Sequence, residues 1–136
     1  WLELLAAVRE RGAAMPQLIV PVPLHETRHF DLKFNQADVL ARGLGRAFHI
    51  AVGSRLFSRT RRTQAQDGLD VARRNRNIRG AFDCARTAGQ NSGSTRIALV
   101  DDVLTTGATL RECAKALRKA GAADISVWVA ARAPAP

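Results

Sequence analysis

Along the chain, short apolar runs alternate with stretches in which apolar residues return every three or four positions. Leu2 to Arg11 has that helical spacing and stops at Gly12, which predicts a helix. Leu18–Leu24, LIVPVPL, is apolar, partly β-branched and broken by prolines, as a short strand and its exit would be. Asn35 is a good N-cap, and Val39, Leu40, Leu44 and Phe48 follow it on one helical face, which predicts an amphipathic helix. Ala51–Phe57 is a weaker strand. From Ser58 to Arg79 the only apolar residues with bulk are Leu69, Val71 and Ile78, so this stretch predicts an exposed arm with a helix from about Leu69. Gly80–Cys84 suggests a short strand and Thr87–Thr95 a surface loop. Ile97–Val100 is then a strand, Thr109–Ala120 a helix closed by Gly121, and Asp124–Arg132 a final strand before the Ala-Pro tail.

Strands separated by helices, with near-continuous apolar strand interiors, predict an α/β fold: a parallel twisted sheet with helices on both faces. In such sheets ligands sit at the carboxyl ends of strands, near the start of a helix. One segment occupies that position. Arg96–Leu110, RIALVDDVLTTGATL, passes from four apolar residues to two acids and then to small, hydroxyl-bearing residues. Gly107 permits a tight turn and close backbone approach, and the amide N–H groups of a helix start face outward. Thr105, Thr106 and Thr109 add hydroxyls around Gly107 and Ala108, so Thr105–Thr109 predicts a phosphate cradle. Asp101 and Asp102 would repel that phosphate and are suited to hydrogen-bond donors such as sugar hydroxyls, or to Mg²⁺. A ribose phosphate supplies both partners.

Other signatures fail. There is no Gly-Lys-Ser/Thr, and the two glycines of Gly43–Phe48 lie inside a predicted helix. His25–His29, HETRH, matches the H-E-x-x-H zinc pattern in letters, but it follows a strand end and carries Arg28 toward the would-be metal. Cys84 and Cys113 have no second pair to complete a zinc site. Two lone cysteines fit a reducing cytoplasm. No apolar run approaches the roughly 18–20 residues of a membrane helix, and 136 residues with 46% hydrophobic content suit one domain over 1–136. Charge adds a second theme. Of the net +9, the segment from His25 to Arg79 holds twelve Lys/Arg against five Asp/Glu, a patch suited to phosphate on a small ligand or a nucleic-acid backbone.

The segment IALVDDVLTTGAT resembles the phosphoribosyl pyrophosphate (PRPP) signature of type I phosphoribosyltransferases. VPVPLH, FNQA, the spaced set from Arg59 to Leu69, RRNRNIRGAF and VWVAARA together resemble the ComF family of competence proteins, from about Pro21 to Ala133. That resemblance implies a type I phosphoribosyltransferase-like domain with a mobile basic arm. Asp101 and Asp102 would hold the ribose hydroxyls, Thr105–Thr109 the 5′-phosphate, and Mg²⁺ would enter with PRPP. The region Leu24–Lys33 would contact pyrophosphate, with Arg28 and Lys33 as candidate charges, although Lys33 stands where the family usually has Gly. Arg59, Arg61, Thr63 and Gln66 fall on the arm that would close over the ligand. The cysteine-rich zinc-ribbon segment that often opens ComF relatives is not in this sequence, which is then either a fragment or a member without it, and no metal held by a protein cage is implied. Two functions follow: a PRPP-binding protein that transfers phosphoribosyl or only senses the ligand, and a competence-associated module that handles single-stranded DNA through the arm together with DNA-uptake proteins.

Overall fold

The structure, a computed structural model, describes residues 14–24, 34–59, 76, 78–85 and 95–133. Strand β1, Leu18–Pro21, buries Ile19 and Val20 completely, because it lies between two other strands and is covered on both faces. Helix α1, Gln36–Phe48, starts where Asn35 accepts the Ala37 amide at 3.1 Å. The same side chain donates to the Val22 carbonyl at 3.0 Å and so ties the helix start to the end of β1. At its far end His49 closes the helix in a left-handed conformation, and β2, Ala51–Val52, returns alongside β1.

The stretch Ala51–Phe57, expected to be one strand, divides. After β2 the chain turns, and β3, Phe57–Arg59, pairs antiparallel with β4, Phe82–Cys84, in a separate two-stranded sheet. The two ends of the Arg-rich segment are therefore brought together, with Arg59 opposite Phe82. Strand β5 runs Thr95–Leu104, beginning two residues before the expected run Ile97–Val100 and ending four after it. Helix α2 spans Ala108–Lys119 and β6 spans Ala122–Arg132.

The main sheet has the order β2-β1-β5-β6 and is parallel throughout. Alternate side chains of β1 and β5 build two cores, as the pleat requires. Ile19, Ala98 and Val100 face α1 with Ala41, Leu44 and Trp128, whose ring lies 5.9 Å from that of Phe48. Val20, Ile97 and Leu99 face α2 with Leu110, Cys113, Leu117 and Phe82. The α/β arrangement expected from the sequence, a parallel sheet with a helix on each face, is the one present. Among the described residues no helix is long and apolar enough to cross a membrane.

Candidate functional site

In the sheet, β2 follows β1 on one side and β6 follows β5 on the other, so the winding reverses between β1 and β5. At such a reversal the connections diverge to opposite faces and leave a crevice beyond the strand ends. The register enlarges it. β1 stops opposite Val100, with a last bond from the Val22 amide to the Val100 carbonyl at 2.8 Å, whereas β5 continues beside β6 as far as Leu104 opposite Arg132. Asp101 and Asp102 therefore sit within β5, on the overhang past β1, and not at the strand's end as the apolar pattern suggests.

The overhang loses the ladder partner that β1 would supply, and side chains take over. The Asp102 amide donates to Asp101 Oδ1 at 2.9 Å, and the Val103 amide donates to Asp102 Oδ1 at 2.8 Å. Each carboxylate thereby fixes its own rotamer against the following peptide, and both side chains are half-buried, but only Asp101 lines the cavity beyond the strand; Asp102, the next residue of the strand, does not.

Gly107 follows with φ 72° and ψ 9°, a left-handed conformation that glycine adopts without penalty. It is the N-cap of α2 and has no side chain to cap the helix, and the first turn holds no acidic residue. Among the described residues only the weak contact from the Ala108 amide to Thr106 Oγ1, 3.4 Å, turns back on the helix start. First-turn N–H groups that no helical carbonyl can reach are suited to an anion. A cavity of about 130 Å³ opens here, lined among others by Asp101, Thr105, Thr106, Gly107, Thr109 and Ile78. The expected cradle residues Thr105–Thr109 and Asp101 do share one cavity.

Two contributors were not singled out from the sequence. Arg111, one helical turn past Gly107, donates from Nη1 to the Thr106 carbonyl at 3.0 Å and places a guanidinium at the cradle rim. The i+4 spacing from Gly107 was the available signal. Ile78, 3% exposed, comes from the far end of the Arg-rich segment and carried no local signal of contact with the cradle. Its neighbour Gly80, at φ 64°, donates its amide to Glu112 Oε2 on α2 at 2.9 Å. Burial alone would push the Glu112 carboxyl up, but the Gly80 amide, Lys115 at 2.6 Å and the Arg79 charge outweigh it, and the net shift is downward.

Arg28, Lys33, Arg61, Thr63 and Gln66 lie outside the described residues, as does the His25–His29 motif; of Arg59 only the backbone, in β3, is described. Among the described residues no group of three or more His, Cys, Asp and Glu could hold a metal. Within the cavity the Asp101 carboxylate is a donor of the kind that could help hold a Mg²⁺ ion carried in by phosphate and water.

No family model matches the chain. Among curated proteins it is similar to Competence protein F of Haemophilus influenzae, 40% identical over 127 residues, which cover 93% of this chain and 55% of that protein. The DNA utilization protein YhgH of Escherichia coli (strain K12) is 39% identical over 131 residues, covering 96% of this chain and 56% of that one. Competence protein ComFC of Bacillus subtilis is 32% identical over 120 residues, 85% of this chain and 44% of the relative. The chain thus spans about half the length of the curated relatives it matches. Among solved structures, a purine phosphoribosyltransferase from Pyrococcus horikoshii superposes with a TM-score of 0.55 over 97% of this chain and 78% of its own, at 18% identity. The allosteric regulatory enzyme of purine biosynthesis gives the same TM-score over 93% of this chain and 24% of its own, at 22% identity. At these identities the two structures speak for the fold alone.

Proposed function

We propose that this chain, which over the length it spans belongs to the ComF family of competence proteins and has the type I phosphoribosyltransferase fold, binds PRPP or a related ribose 5-phosphate in the crevice at 101–109. The observation that carries the reading is the uncapped, left-handed Gly107 start of α2 opening into the same cavity as Asp101 and the threonine hydroxyls. In this reading the α2 amides and Thr105, Thr106 and Thr109 hold the 5′-phosphate, and Arg111 adds charge at the rim. Asp101 and Asp102 accept hydrogen bonds from the ribose hydroxyls, two residues of chain, Val103 and Leu104, separating them from the cradle.

The arrangement suits displacement of pyrophosphate at the anomeric carbon by the nucleophilic atom of an acceptor substrate: the bond from that atom to the carbon forms as the C–O bond to pyrophosphate breaks, and the step needs no protein nucleophile. What it needs is a fixed ribose, stabilised leaving charge and exclusion of water from a cationic ribosyl centre. Mg²⁺ bound with the diphosphate would supply neutralisation of the leaving oxygens. The residues of this chain hold the ribose and 5′-phosphate still while the bond to pyrophosphate breaks. Calorimetric titration of PRPP with Mg²⁺, beside a variant with Asp101→Asn and Asp102→Asn, tests the reading. Binding that vanishes in the variant supports it, and a wild-type protein that takes up no PRPP refutes it.

A second reading is favoured by the names of the relatives, which mention competence and DNA utilization, and by the geometry of the basic segment. The β3–β4 pair closes the ends of a stretch, Arg55–Arg79, with eight arginines and two aspartates, and Arg55, Arg76 and Arg79 at its base are exposed. With Phe57 its only aromatic, such a segment would hold single-stranded DNA through backbone charge and little stacking. Neutralising about six phosphates gives a log–log salt slope near −4. Affinity for an oligonucleotide that ignores salt would remove this reading.

A further inference from the structure

We propose that Glu112 is a positioning residue of the cradle, and that it acts by holding Ile78 in place as one wall of the ligand cavity. The inference rests on the ribose-phosphate reading and deepens it. Gly107 begins α2 at the cradle, and Glu112 stands five residues further along the same helix, with its side chain only 14% exposed. Its Oε2 takes the Gly80 amide at 2.9 Å, while Oε1 is held by Lys115 at 2.6 Å, so the carboxylate is oriented on both oxygens. Gly80 is left-handed at φ 64°, and the turn it closes brings the Ala81 amide to the Ile78 carbonyl at 3.1 Å. Ala81 and Phe82 then enter the core beneath α2. The segment 80–82 is therefore held by Glu112 at Gly80 and by burial at Ala81 and Phe82. Ile78, 3% exposed and two residues before Gly80, is tied to this turn through its carbonyl and lies in the lining of the cavity that holds Asp101 and the threonines.

The chemistry of the wall matters to an anion. An apolar side chain opposite the α2 amides excludes water from one side of the bound phosphate, and charge-assisted hydrogen bonds strengthen as the local dielectric falls. Release of Gly80 would let the wall swing away and wet the cradle without removing any group that touches the ligand.

The test uses ribose 5-phosphate as the probe, titrated calorimetrically into wild type, Glu112→Ala, Glu112→Gln, Ile78→Ala and the Glu112→Ala/Ile78→Ala double variant, each first shown to be folded by urea denaturation. In Glu112→Ala the ligand must re-close a wall that no longer has the Gly80 bond, so binding should weaken measurably, by up to about tenfold, the worth of that bond setting the limit. Glu112→Gln should stay within about threefold of wild type, because its amide oxygen accepts the same Gly80 N–H. Residues that act through one wall are not additive, so the double variant should bind about as weakly as the worse single variant. Wild-type affinity in Glu112→Ala, or losses that multiply in the double variant, would overturn the positioning role while leaving the cradle intact. A wild-type protein that binds no ribose 5-phosphate overturns the underlying reading and this inference with it.

Discussion

The conformation of Gly107 is where the cradle is most exposed to a single substitution, and the source of the cost can be worked out. A Cβ built at this position would lie 3.4 Å from Arg111 Nη1 and 3.4 Å from Leu104 Cδ1, both the far ends of side chains that can shift by a few tenths of an ångström. Space is therefore a minor cost. The backbone is not: at φ 72° an L-residue with a Cβ loses about 1–2 kcal/mol relative to glycine. For a domain of this size that amounts to a fall in Tm of roughly 3–10 °C in Gly107→Ala. The protein can escape the strain only by moving the loop out of the left-handed region, which re-aims the first amides of α2. Losing one charge-assisted bond to phosphate would then weaken ribose 5-phosphate by at least about tenfold. Asparagine tolerates the left-handed region better than alanine although it is larger. Gly107→Asn should therefore keep more stability than Gly107→Ala if conformation is the cause, and less if space is. Urea denaturation with ribose 5-phosphate calorimetry on both variants decides it. A Gly107→Ala protein with wild-type midpoint and wild-type affinity would refute the argument.

Three further outcomes concern the framework. Gly45→Ala should destabilise by about 1–3 kcal/mol despite alanine's better helix propensity, because the new Cβ would collide with Val52 Cγ2 and come within 2.8 Å of the Ile50 carbonyl. A raised urea midpoint would contradict that close approach. Asn35→Ala should cost about 1–2 kcal/mol, since it removes both the cap of α1 and the bond to the Val22 carbonyl, whereas Asn35→Asp should restore the cap alone. The folded Glu112 carboxyl titrates below its ordinary value of 4.5, so its contribution is complete above that pH and disappears as pH falls through the folded value. Glu112→Gln should accordingly flatten the acid limb of the Tm–pH curve below about pH 4.5 and leave the neutral region little changed in slope. An acid limb identical to wild type would show that another carboxylate carries it.

What was legible in the sequence was local in its physics. The Asn35 cap, the amphipathic character of α1, the tight turn at Gly107 and the central strands follow from side chains within a few residues of one another, and the structure has each of them. The expected face of α1 is only partly right, because Val39 is exposed and the helix buries Ala37, Ala41 and Gly45 along with Leu44. The extent of β5 does not follow in that way. Aspartate is disfavoured in strands, so the apolar pattern ends at Val100, yet the ladder to β6 continues to Leu104 because β6 is long enough to pair with it. Ala51–Phe57 divides for the opposite reason: Phe57 finds its partner in Cys84, beyond a segment whose hydrophobicity gives no hint of the return. The pyrophosphate-loop charges Arg28 and Lys33, and the arm residues Arg61, Thr63 and Gln66, lie outside the described residues.

The common cause of these departures bears on the site itself. Asp101 is oriented by a strand whose register is set by β6, and the cavity it lines is also lined by Ile78, which lies 23 positions upstream and is delivered by the closing of β3 on β4. In the proposed reading the run from Ile97 to Thr109 would accordingly supply the donors and acceptors for a ribose phosphate, but not the geometry that dries and frames them. A chain that kept this run and lost the β3–β4 closure would retain the signature and forfeit one wall of its cavity. Two proteins sharing the motif can therefore differ widely in affinity, and the difference would lie in residues such as Ile78, Gly80 and Glu112 that the motif does not contain.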